Sequence, residues 1–407
     1  MSRHWIVVAG APFFPAQDGG EREHLGFIES LLAEGWLAGL VVPTDEDPAS
    51  LGREDDMDAL RELIAPAPLF MTPRLRLAAA APRATRRPYV IASRPVPRNL
   101  PARVAMQAPE ADGVVVFAFK SADIGKALAT ELGLPAVLRH HNLEGPYHQA
   151  LAGSMAPPKS WAVNLEAARI DREERRLEAA DWITGIADIS ATDAEIRRAR
   201  SSVPVAHVPT FALGPKPAEE RPVWERPASP VVVFVGALHV GTNHDAIEWF
   251  AAEVWPRVRE QHPDARWQIV GRTPTERVHA LVARTPGTEL HPDVPDPRTY
   301  LCQASVAINP TVSGSGVNIK LVEYLSVGIP VVSTTKGAAG LGLTPGKDLF
   351  VADTAGEFAG AVAQALAAPD PARSVGRQGL TTADRILDVR GSLRTMAELM
   401  DGVPPAR

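Results

Sequence analysis

Residues 313–334 read SGSGVNIKLVEYLSVGIPVVST. A short apolar run over 306–309 precedes them and predicts a buried strand that ends ahead of a turn rich in glycine and serine. Three apolar side chains then recur at helical spacing: Ile319, Val322 and Leu325. A glycine and a proline end this helix before a strand over 330–333. Strand, turn, helix and strand in this order predict a parallel sheet covered by helices.

The same alternation extends along most of the 407 residues. It predicts strands over 5–9, 40–42, 114–118, 136–139, 182–186, 231–236 and 267–271. A proline-rich stretch interrupts it, so we expect an α/β chain of two Rossmann-like, doubly wound parallel-sheet domains that face each other across a cleft. The expected parts are an N-terminal domain (1–212), a linker (213–229), a C-terminal domain (230–385) and a terminal helix (386–407) that packs back on the N-terminal domain.

Composition narrows the function classes. The net charge of -6 argues against a dedicated nucleic-acid binder, which is usually basic. Cys302 is the only cysteine, so an intrachain disulfide and a cysteine-rich metal site are excluded. No apolar run approaches the roughly 18 to 20 residues that span a bilayer. We therefore expect a cytoplasmic protein, at most peripheral on the inner face of the membrane.

The turn and helix over 314–326 carry residue types that suit a nucleotide diphosphate. Glycines let the backbone approach a ligand closely, and free N–H groups at a helix start attract phosphate. Glu323 lies within the helix, where its carboxylate can accept hydrogen bonds from ribose hydroxyls, and Lys320 can neutralise the β-phosphate as it leaves. The plain alternatives are a helix-surface charge for Glu323 and an i to i+3 ion pair with Glu323 for Lys320.

The whole run resembles the donor-site signature of glycosyltransferase family 4, which has the GT-B fold. Further segments of the C-terminal half agree with it: Phe234-Val235-Gly236-Ala237 with Asn243, Ile269-Val270-Gly271-Arg272, Val294-Pro295-Asp296 and Lys336-Gly337-Ala338-Ala339-Gly340-Leu341. In the N-terminal half, Asp18-Gly19-Gly20-Glu21-Arg22 resembles the family's first glycine-rich loop. Arg139-His140-His141-Asn142-Leu143-Glu144 resembles the His-Asn-x-Glu segment of bacterial polysaccharide-type members.

This resemblance implies a retaining glycosyltransferase that moves a sugar from a UDP- or GDP-type donor to a glycan, a lipid-linked glycan or a small aglycone. The implied catalytic residues are His141, Lys320 and Glu323. The implied donor-binding residues are Gly19, Gly20, Arg272, Val294, Ser315, Gly316, Val317, Asn318, Ile319 and Glu323, and the implied acceptor-binding residues are Asn142 and Glu144. No cofactor beyond the nucleotide sugar and no metal is expected, because amides and basic side chains can carry the charge of the diphosphate.

One position departs from the family pattern. Many members carry two glutamates eight positions apart, whereas here the second is Glu323 and the first is replaced by Ser315. The first glutamate contacts the transferred sugar in the family, so the sugar contact is changed here. Two alternative functions stay open: a nucleotide-sugar 2-epimerase of the same fold, and a non-catalytic glycosyltransferase-like partner subunit. For His141 the alternative is a purely structural hydrogen bond.

Two other patterns have competing interpretations. Leu63–Pro109 contains no acidic residue and eight arginines, between Arg74 and Arg103. This insertion is either an electropositive surface for a phosphorylated or membrane-bound acceptor, with peripheral membrane contact through Arg74–Arg103, or a solvated segment. Asp45-Glu46-Asp47 has the spacing of metal-dependent transferases, but its place after the second strand among Pro and Ser favours an acidic loop. No Walker-type glycine–lysine motif occurs.

Overall fold

The computed structural model describes residues 2–16, 19–45, 54–75, 87–153, 155–214, 224–225, 227–314 and 316–404. The chain divides into two compact units, one of residues 1–215 with 389–407 and the other of residues 216–388. Each unit contains one sheet in which all paired strands are parallel. The prediction of two doubly wound parallel-sheet units is confirmed.

The N-terminal sheet has seven strands in the order β3-β2-β1-β4-β5-β6-β7. They are β1 (Trp5–Val8), β2 (Leu37–Asp45), β3 (Leu69–Arg74), β4 (Gly113–Phe117), β5 (Ala136–His140), β6 (Gly185–Asp188) and β7 (Val205–His207). Ile6 and Val8 point into one hydrophobic cluster, and Trp5 and Val7 into another. Both faces of the sheet are therefore covered, which is why its central strands are continuous apolar runs.

The C-terminal sheet has six strands in the order β10-β9-β8-β11-β12-β13. They are β8 (Val231–Val235), β9 (Arg266–Gly271), β10 (Thr288–Pro292), β11 (Val306–Asn309), β12 (Val331–Ser333) and β13 (Phe350–Val351). On one face, Phe250, Trp255 and Trp267 form a buried aromatic group with ring centroids 4.7 to 6.1 Å apart. The strand order reverses direction between β8 and β11, and such a point is where doubly wound sheets bind ligands.

Helices connect the strands in both units. Those of the N-terminal unit are Gly19–Glu34, Glu54–Ile64, Tyr89–Ala92, Leu100–Gln107, Ala122–Leu132, Glu144–Gly153, Lys159–Leu177, Ala191–Arg198 and Val389–Met400, with a 3-10 turn at Phe119–Ser121. Those of the C-terminal unit are Gly241–Trp249, Trp255–Gln261, Glu276–Arg284, Arg298–Cys302, Ile319–Ser326, Thr335–Ala338, Ala355–Ala367 and Pro369–Ile386, with a π-helical turn at Phe250–Val254.

The last helix, Val389–Met400, belongs to the N-terminal unit. Its side chains Leu393, Met396, Leu399 and Met400 are buried in that unit's core. A Cβ at Gly113 would lie 2.8 Å from the sulfur of Met400, so the helix packs directly against the start of β4. The chain therefore enters the second unit at about residue 216 and returns to the first at residue 389.

Several strand predictions need correction. The strand expected over 182–186 begins only at Gly185, because the preceding residues form a turn in which the Ile183 amide donates to the Ala180 carbonyl. Three strands carried no clear signal: β3, β10 and β13. The residues of β10 are all half-buried or exposed, so that strand lacks the apolar run that marks a central strand. β13 has only two residues.

The arginine-rich segment is not simply an insertion. Its Leu69–Arg74 pairs with β2 over six residues as an edge strand of the N-terminal sheet. Arg87 donates to the carboxylates of Asp123 and Glu173, and Arg94 is 5% exposed and donates to the Gly10 carbonyl. These two guanidinium groups serve internal contacts, so the alternative of an electropositive surface does not rest on them. Arg76, Arg83 and Arg86 lie outside the described residues, as do Glu46 and Asp47 of the acidic loop.

Candidate functional site

Two glycines shape the turn that follows β11. Gly314 and Gly316 have φ angles of +88° and +91°, a region that glycine adopts without steric cost. A Cβ on Gly314 would lie 2.9 Å from Cγ2 of Thr242, so the turn packs against the start of the helix Gly241–Trp249. The predicted donor residue Ser315 lies outside the described residues. A turn with two glycines at positive φ can direct its backbone amides toward a bound anion.

Asn309 is the last residue of β11, is buried, and makes hydrogen bonds to the loops at the carboxyl edge of the sheet. Its side-chain nitrogen donates to the Ser333 hydroxyl over 3.2 Å and to the Gly337 carbonyl over 3.0 Å. Its side-chain oxygen accepts from the Thr311 hydroxyl over 2.9 Å. Asn318, a predicted donor residue, also donates to the Gly337 carbonyl, over 3.2 Å. The loops after β11 and β12 are thus tied together by Asn309, which the sequence pattern did not single out.

Lys320 lies in the first turn of the helix Ile319–Ser326 and is half-buried. Its Nζ donates to Oδ1 of Asn243 over 2.6 Å and lies 4.8 Å from the centroid of the Phe234 ring. Desolvation lowers the pKa of Lys320 to about 7. Because a bound phosphate would restore the charged form, a lysine in this state is well suited to an anion site.

Glu323 lies on the same helix and is only 6% exposed. A solvated helix-surface charge is therefore excluded for it. The guanidinium of Arg298 donates to both carboxylate oxygens of Asp296, over 2.9 and 2.8 Å. That hydrogen bond raises the pKa of Arg298, and the charge of Glu323 adds to the effect. Arg298, which the sequence pattern did not single out, thus belongs to the same electrostatic environment as Glu323.

The other predicted donor residues of this unit lie at the carboxyl ends of its strands. Arg272 is exposed and follows β9, where its carbonyl accepts from the Leu238 amide over 2.9 Å. Val294 is half-buried in the loop after β10. The remaining members lie in the turn and helix start after β11: Gly316, Val317, Asn318 and Ile319. The structure therefore brings the described donor candidates of the C-terminal unit to one edge of its sheet.

The predicted glycine loop of the N-terminal unit leads directly into a helix. Gly19 and Gly20 are the first two residues of the helix Gly19–Glu34, and Asp18 lies outside the described residues. One turn later, Nδ1 of His24 is 2.8 Å from the Gly20 carbonyl oxygen. These residues lie beside the carboxyl end of β1, where a second ligand edge is expected.

A buried ion pair fastens this helix to β5. Arg139 and Glu23 are both fully buried, and Nε of Arg139 donates to Oε1 of Glu23 over 2.9 Å. The guanidinium also donates to the carbonyls of Val208 and Pro209, over 3.1 and 2.7 Å. The second carboxylate oxygen of Glu23 accepts from the Phe211 amide over 2.7 Å. Arg139 is therefore a structural residue that joins β5 to the helix Gly19–Glu34.

His141 follows β5 and is half-buried. Its Nε2 is buried and has no hydrogen-bond partner in the described part of the chain. Its ring stands edge-on to those of Phe117 and His24, with centroids 5.8 and 5.2 Å away. Desolvation lowers the pKa of His141 well below its usual value, so the ring is neutral at pH 7. The structure thus places His141 beside His24, which the sequence pattern did not single out.

Asn142 and Glu144, the predicted acceptor contacts, lie at the start of the helix Glu144–Gly153. Glu144 is only 5% exposed, and the Asn142 carbonyl accepts from the guanidinium of Arg197 over 3.4 Å. The Gly145 amide donates to a carboxylate oxygen of Glu174 over 3.0 Å. Both predicted residues are therefore held by a charged cluster beneath them.

Arg197 is the centre of that cluster. It is fully buried and contacts three carboxylates: Glu178 at 2.5 Å, Asp188 at 3.1 Å and Glu174 at 3.3 Å. Burial raises the pKa of Glu174 to about 7 and that of Asp188 to about 6. His140 lies 3.9 Å from Glu174, and desolvation lowers its pKa well below the usual value. These residues are all buried, and two of them, Arg197 and Glu174, make hydrogen bonds to the start of the helix Glu144–Gly153.

No group of three or more His, Cys, Asp and Glu side chains that could hold a metal ion occurs among the described residues. Within the same residues, no helix is both long and apolar enough to cross a membrane.

Comparison with known proteins finds similarity in the C-terminal part of the chain. Residues 229–368 match the family model described as Glycosyl transferases group 1. Over 130 residues the chain is 28% identical to an uncharacterized 44.6 kDa protein in the cps region of Klebsiella pneumoniae. That alignment covers 30% of this chain and 33% of the relative, so it extends over about a third of the relative's length.

Solved structures resemble the whole chain in fold. Anabaena HepE in complex with UDP and glucose is 12% identical, with a TM-score of 0.59 over 98% of this chain and 100% of that one. Sucrose-phosphate synthase from Thermosynechococcus elongatus is 16% identical, with a TM-score of 0.64 over 98% of both chains. A glycosyltransferase from Rickettsia africae is 10% identical, with a TM-score of 0.62 over 98% of both. The chain has the GT-B fold.

Proposed function

We propose that this chain, a glycosyltransferase by its group 1 domain and its GT-B fold, moves a sugar from a nucleotide-diphosphate donor to an acceptor with retention at the anomeric carbon. The observation that carries the proposal is the placement of Lys320 directly after the glycine turn, where Asn243 and the Phe234 ring hold its ammonium and no carboxylate pairs with it among the described residues. Retention rests on the resemblance of this turn and of Glu323 to glycosyltransferase family 4. The UDP complex of Anabaena HepE supports a UDP-type donor.

In this proposal the diphosphate lies at the start of the helix Ile319–Ser326. Amides of the turn around Gly316 bind its oxygens, and the Lys320 ammonium lies next to the β-phosphate. Negative charge grows on the departing nucleoside diphosphate as the bond to the sugar breaks, so a cation held in place there lowers the barrier. Asn243 holds Nζ of Lys320 at 2.6 Å, which keeps the ammonium in position before the donor arrives.

Glu323 accepts hydrogen bonds from the ribose hydroxyls in this proposal. Its place on the helix that follows the glycine turn supports the role, and so does the carboxylate, which can accept from both ribose hydroxyls. Arg272 and Val294 flank the nucleotide from the ends of β9 and β10. Ser315 takes the place of the family's sugar-contacting glutamate and offers a hydroxyl without a charge. The sugar is therefore bound by neutral groups at that point.

The resemblance to glycosyltransferase family 4 also gives roles to residues of the N-terminal unit. In the proposal Gly19 and Gly20 are diphosphate-binding residues, and His141 binds the transferred sugar as a neutral ring. Asn142 and Glu144 contact the acceptor. A bacterial polysaccharide is the acceptor class that we favour, supported by the relative from the cps region of Klebsiella pneumoniae. Peripheral membrane contact through Arg74–Arg103 stays a prediction, and the exposed Arg98 is a residue that can make it.

The reaction is proposed to need no metal and no cofactor, because Lys320 and the turn amides carry the charge of the leaving group. Activity should then persist in EDTA. Complete loss that Mg²⁺ reverses would contradict this part of the proposal.

A thermal-shift screen of UDP- and GDP-sugars tests the function. A true donor raises the unfolding temperature, since it binds only the folded state. Glu323→Gln should remove most of that shift for the donor that works. Glu260→Gln is the matched control, because Glu260 is an exposed acid on another helix of the same unit, and it should leave the shift unchanged.

Mass detection of slow donor hydrolysis then separates a transferase from a non-catalytic subunit, and a 2-isomer of the donor would indicate an epimerase. If no nucleotide sugar shifts the wild type, the proposed function is wrong.

A further inference from the structure

His24 is packed within aromatic rings near the carboxyl end of β1. Its ring centroid lies 5.4 Å from that of Phe13, 4.2 Å from that of Phe117 and 5.2 Å from that of His141. The ring of His24 is nearly parallel to Phe13 and edge-on to His141. Its orientation is therefore determined by packing on several sides.

The contacts of His24 assign its tautomer. Nδ1 lies 2.8 Å from the Gly20 carbonyl oxygen, which can only accept, so Nδ1 carries the hydrogen. Desolvation lowers the pKa of His24 to about 4, and the nearby cations Lys120 and Arg139 act in the same direction. The Gly20 hydrogen bond and Glu23 oppose this shift without cancelling it. The ring is neutral at pH 7, and Nε2 of His24 is an acceptor.

This acceptor and its neighbour both lack a partner. Nε2 of His24 and Nε2 of His141 are buried without a hydrogen bond in the part of the chain that the structure describes. A buried polar atom left unpaired costs about 1–3 kcal/mol. A Cβ on Gly10 would lie 3.0 Å from the Phe117 carbonyl oxygen and 3.9 Å from Nε2 of His24, so the side of this nitrogen that faces Gly10 is bordered by a glycine and a backbone carbonyl.

We propose that one hydroxyl oxygen, of an ordered water or of a substrate sugar, binds in the space bounded by Gly10, His24 and His141 and bridges the two Nε2 atoms. The oxygen donates its hydrogen to Nε2 of His24, which can only accept. Its lone pair then accepts the hydrogen of His141 Nε2. Both buried nitrogen atoms gain a partner, and neither ring has to be charged.

This arrangement makes His24 a positioning residue for His141. With the hydrogen of His141 on Nε2, its Nδ1 becomes an acceptor that can orient a sugar hydroxyl. This consequence rests on the proposed function, whereas the bridged oxygen does not. His24 acts through His141 in this scheme, and it contacts the substrate only when the bridging oxygen is the substrate's own.

Histidine-selective ¹⁵N labelling tests the proposal in the full-length protein, because two-bond N–H correlation spectra report the tautomer of each ring. We expect a single Nε2–H tautomer for His141 in the wild type, assigned with His141→Asn, and a mixture of tautomers in His24→Phe. In transfer assays His24→Phe should lower kcat about tenfold, the effect of losing one oriented hydrogen bond, with a smaller change in the donor KM. If the Nε2–H tautomer of His141 is present without substrate, the bridging oxygen belongs to a water. If it appears only with UDP-sugar, the bridging oxygen belongs to a substrate hydroxyl.

Two further variants separate positioning from packing. Phe13→Leu alters the packing of the His24 ring but keeps its Nε2, so the His141 tautomer should not change. His24→Gln offers an amide oxygen as acceptor and should restore part of kcat. The same His141 tautomer in wild type and His24→Phe, with and without UDP-sugar, would overturn the proposal. If no nucleotide sugar binds, the proposed function is wrong. The bridged oxygen is still tested in that case, because the His141 tautomer is measured without substrate.

Discussion

Arg139 in the N-terminal unit is a fully buried cation and Lys320 in the C-terminal unit is a half-buried one, and their partners differ. Arg139 pairs with the buried carboxylate of Glu23 and donates to two backbone carbonyls. Lys320 donates to the neutral amide of Asn243 and lies over the Phe234 ring. The charge of Arg139 is thus compensated by a carboxylate inside the protein, whereas the partners of Lys320 named here are neutral, and we propose that a donor phosphate compensates its charge.

The difference teaches how structural and functional charges can be told apart. A buried ion pair with all its hydrogen bonds made keeps its charge and holds two elements together. Lys320 has no carboxylate partner among the described residues, so desolvation removes part of its charge, and a fold keeps such a group only at some expense in stability. Each of the following predictions changes one side of this comparison.

The largest effect is expected from Arg139→Met. Removal of the guanidinium leaves the fully buried Glu23 carboxylate without its cation, which should lower the free energy of unfolding by about 3–5 kcal/mol. Urea unfolding measures it. Arg277→Met is the matched control, since it breaks an exposed pair with Glu248 and should cost less than about 1 kcal/mol. Equal losses in the two variants would refute the structural role of Arg139.

Lys320→Met should have opposite effects on stability and on binding. The apolar side chain removes the desolvation cost of the ammonium, so the free protein should be at least as stable as the wild type. Nucleotide-sugar affinity should fall about 10- to 100-fold, because a charge-assisted hydrogen bond contributes about 1.5–3 kcal/mol. Calorimetry measures the affinity, and Lys347→Met, at an exposed lysine, serves as control. Undiminished affinity in Lys320→Met would place the phosphate elsewhere.

Binding should also depend on pH through Lys320. Its pKa of about 7 in the free protein must rise when a diphosphate binds, so binding takes up a proton above pH 7. Donor affinity should therefore fall by about tenfold per pH unit above pH 7 until the pKa of the complex is reached. Calorimetry in buffers of different ionisation enthalpy measures the proton uptake. The same uptake in Lys320→Met would assign the proton to another group.

The smallest effect concerns Glu174, a buried acid of the N-terminal unit. Its folded pKa of about 7 lies above the ordinary value of 4.5, so the folded state binds more protons than the unfolded state between these values. The stability that this proton contributes is fully present below pH 4.5 and is lost as pH rises through 7. Lys320 has the reverse sign, because its lowered pKa makes stability rise with pH between 7 and 10.5.

Glu174→Gln should flatten the decline of stability between pH 4.5 and 7 in urea unfolding. Some slope should persist, since Asp188 has its pKa raised to about 6 in the same cluster. Parallel pH profiles of wild type and variant would show that Glu174 does not hold this proton.

Much of the fold was predictable because its signals are local. The apolar run of β11, the glycines at 314 and 316, and the helical spacing of Val322 and Leu325 are each contained within a few residues. Edge strands escaped prediction for the same reason, since β10 is only partly buried and shows no apolar run. Lys320 and Glu323 were singled out because both lie within the glycine turn and its helix.

Other site residues could not be found in this way. Asn309 connects two loops, and its partner Gly337 lies 28 residues away. His24 and His141 are separated by more than a hundred residues, and only the pairing of β1 with β4 and of β4 with β5 brings their surroundings together. Conversely, Arg87 and Arg94 had the sequence pattern of surface charges, but their guanidinium groups donate hydrogen bonds within the protein.

The amino-acid sequence by itself determined where the central strands and the helix after the glycine turn form, and where Gly314 and Gly316 turn the backbone with positive φ. These properties depend on side-chain periodicity and on glycine, which act over a few neighbouring residues. The tertiary structure alone decided which charges are compensated. Arg139 meets Glu23 and Lys320 meets Asn243 only after distant elements pack, and burial then sets the pKa of each group. Burial and partnership are properties of the packed chain, because the dielectric environment of a side chain exists only once its neighbours are in place.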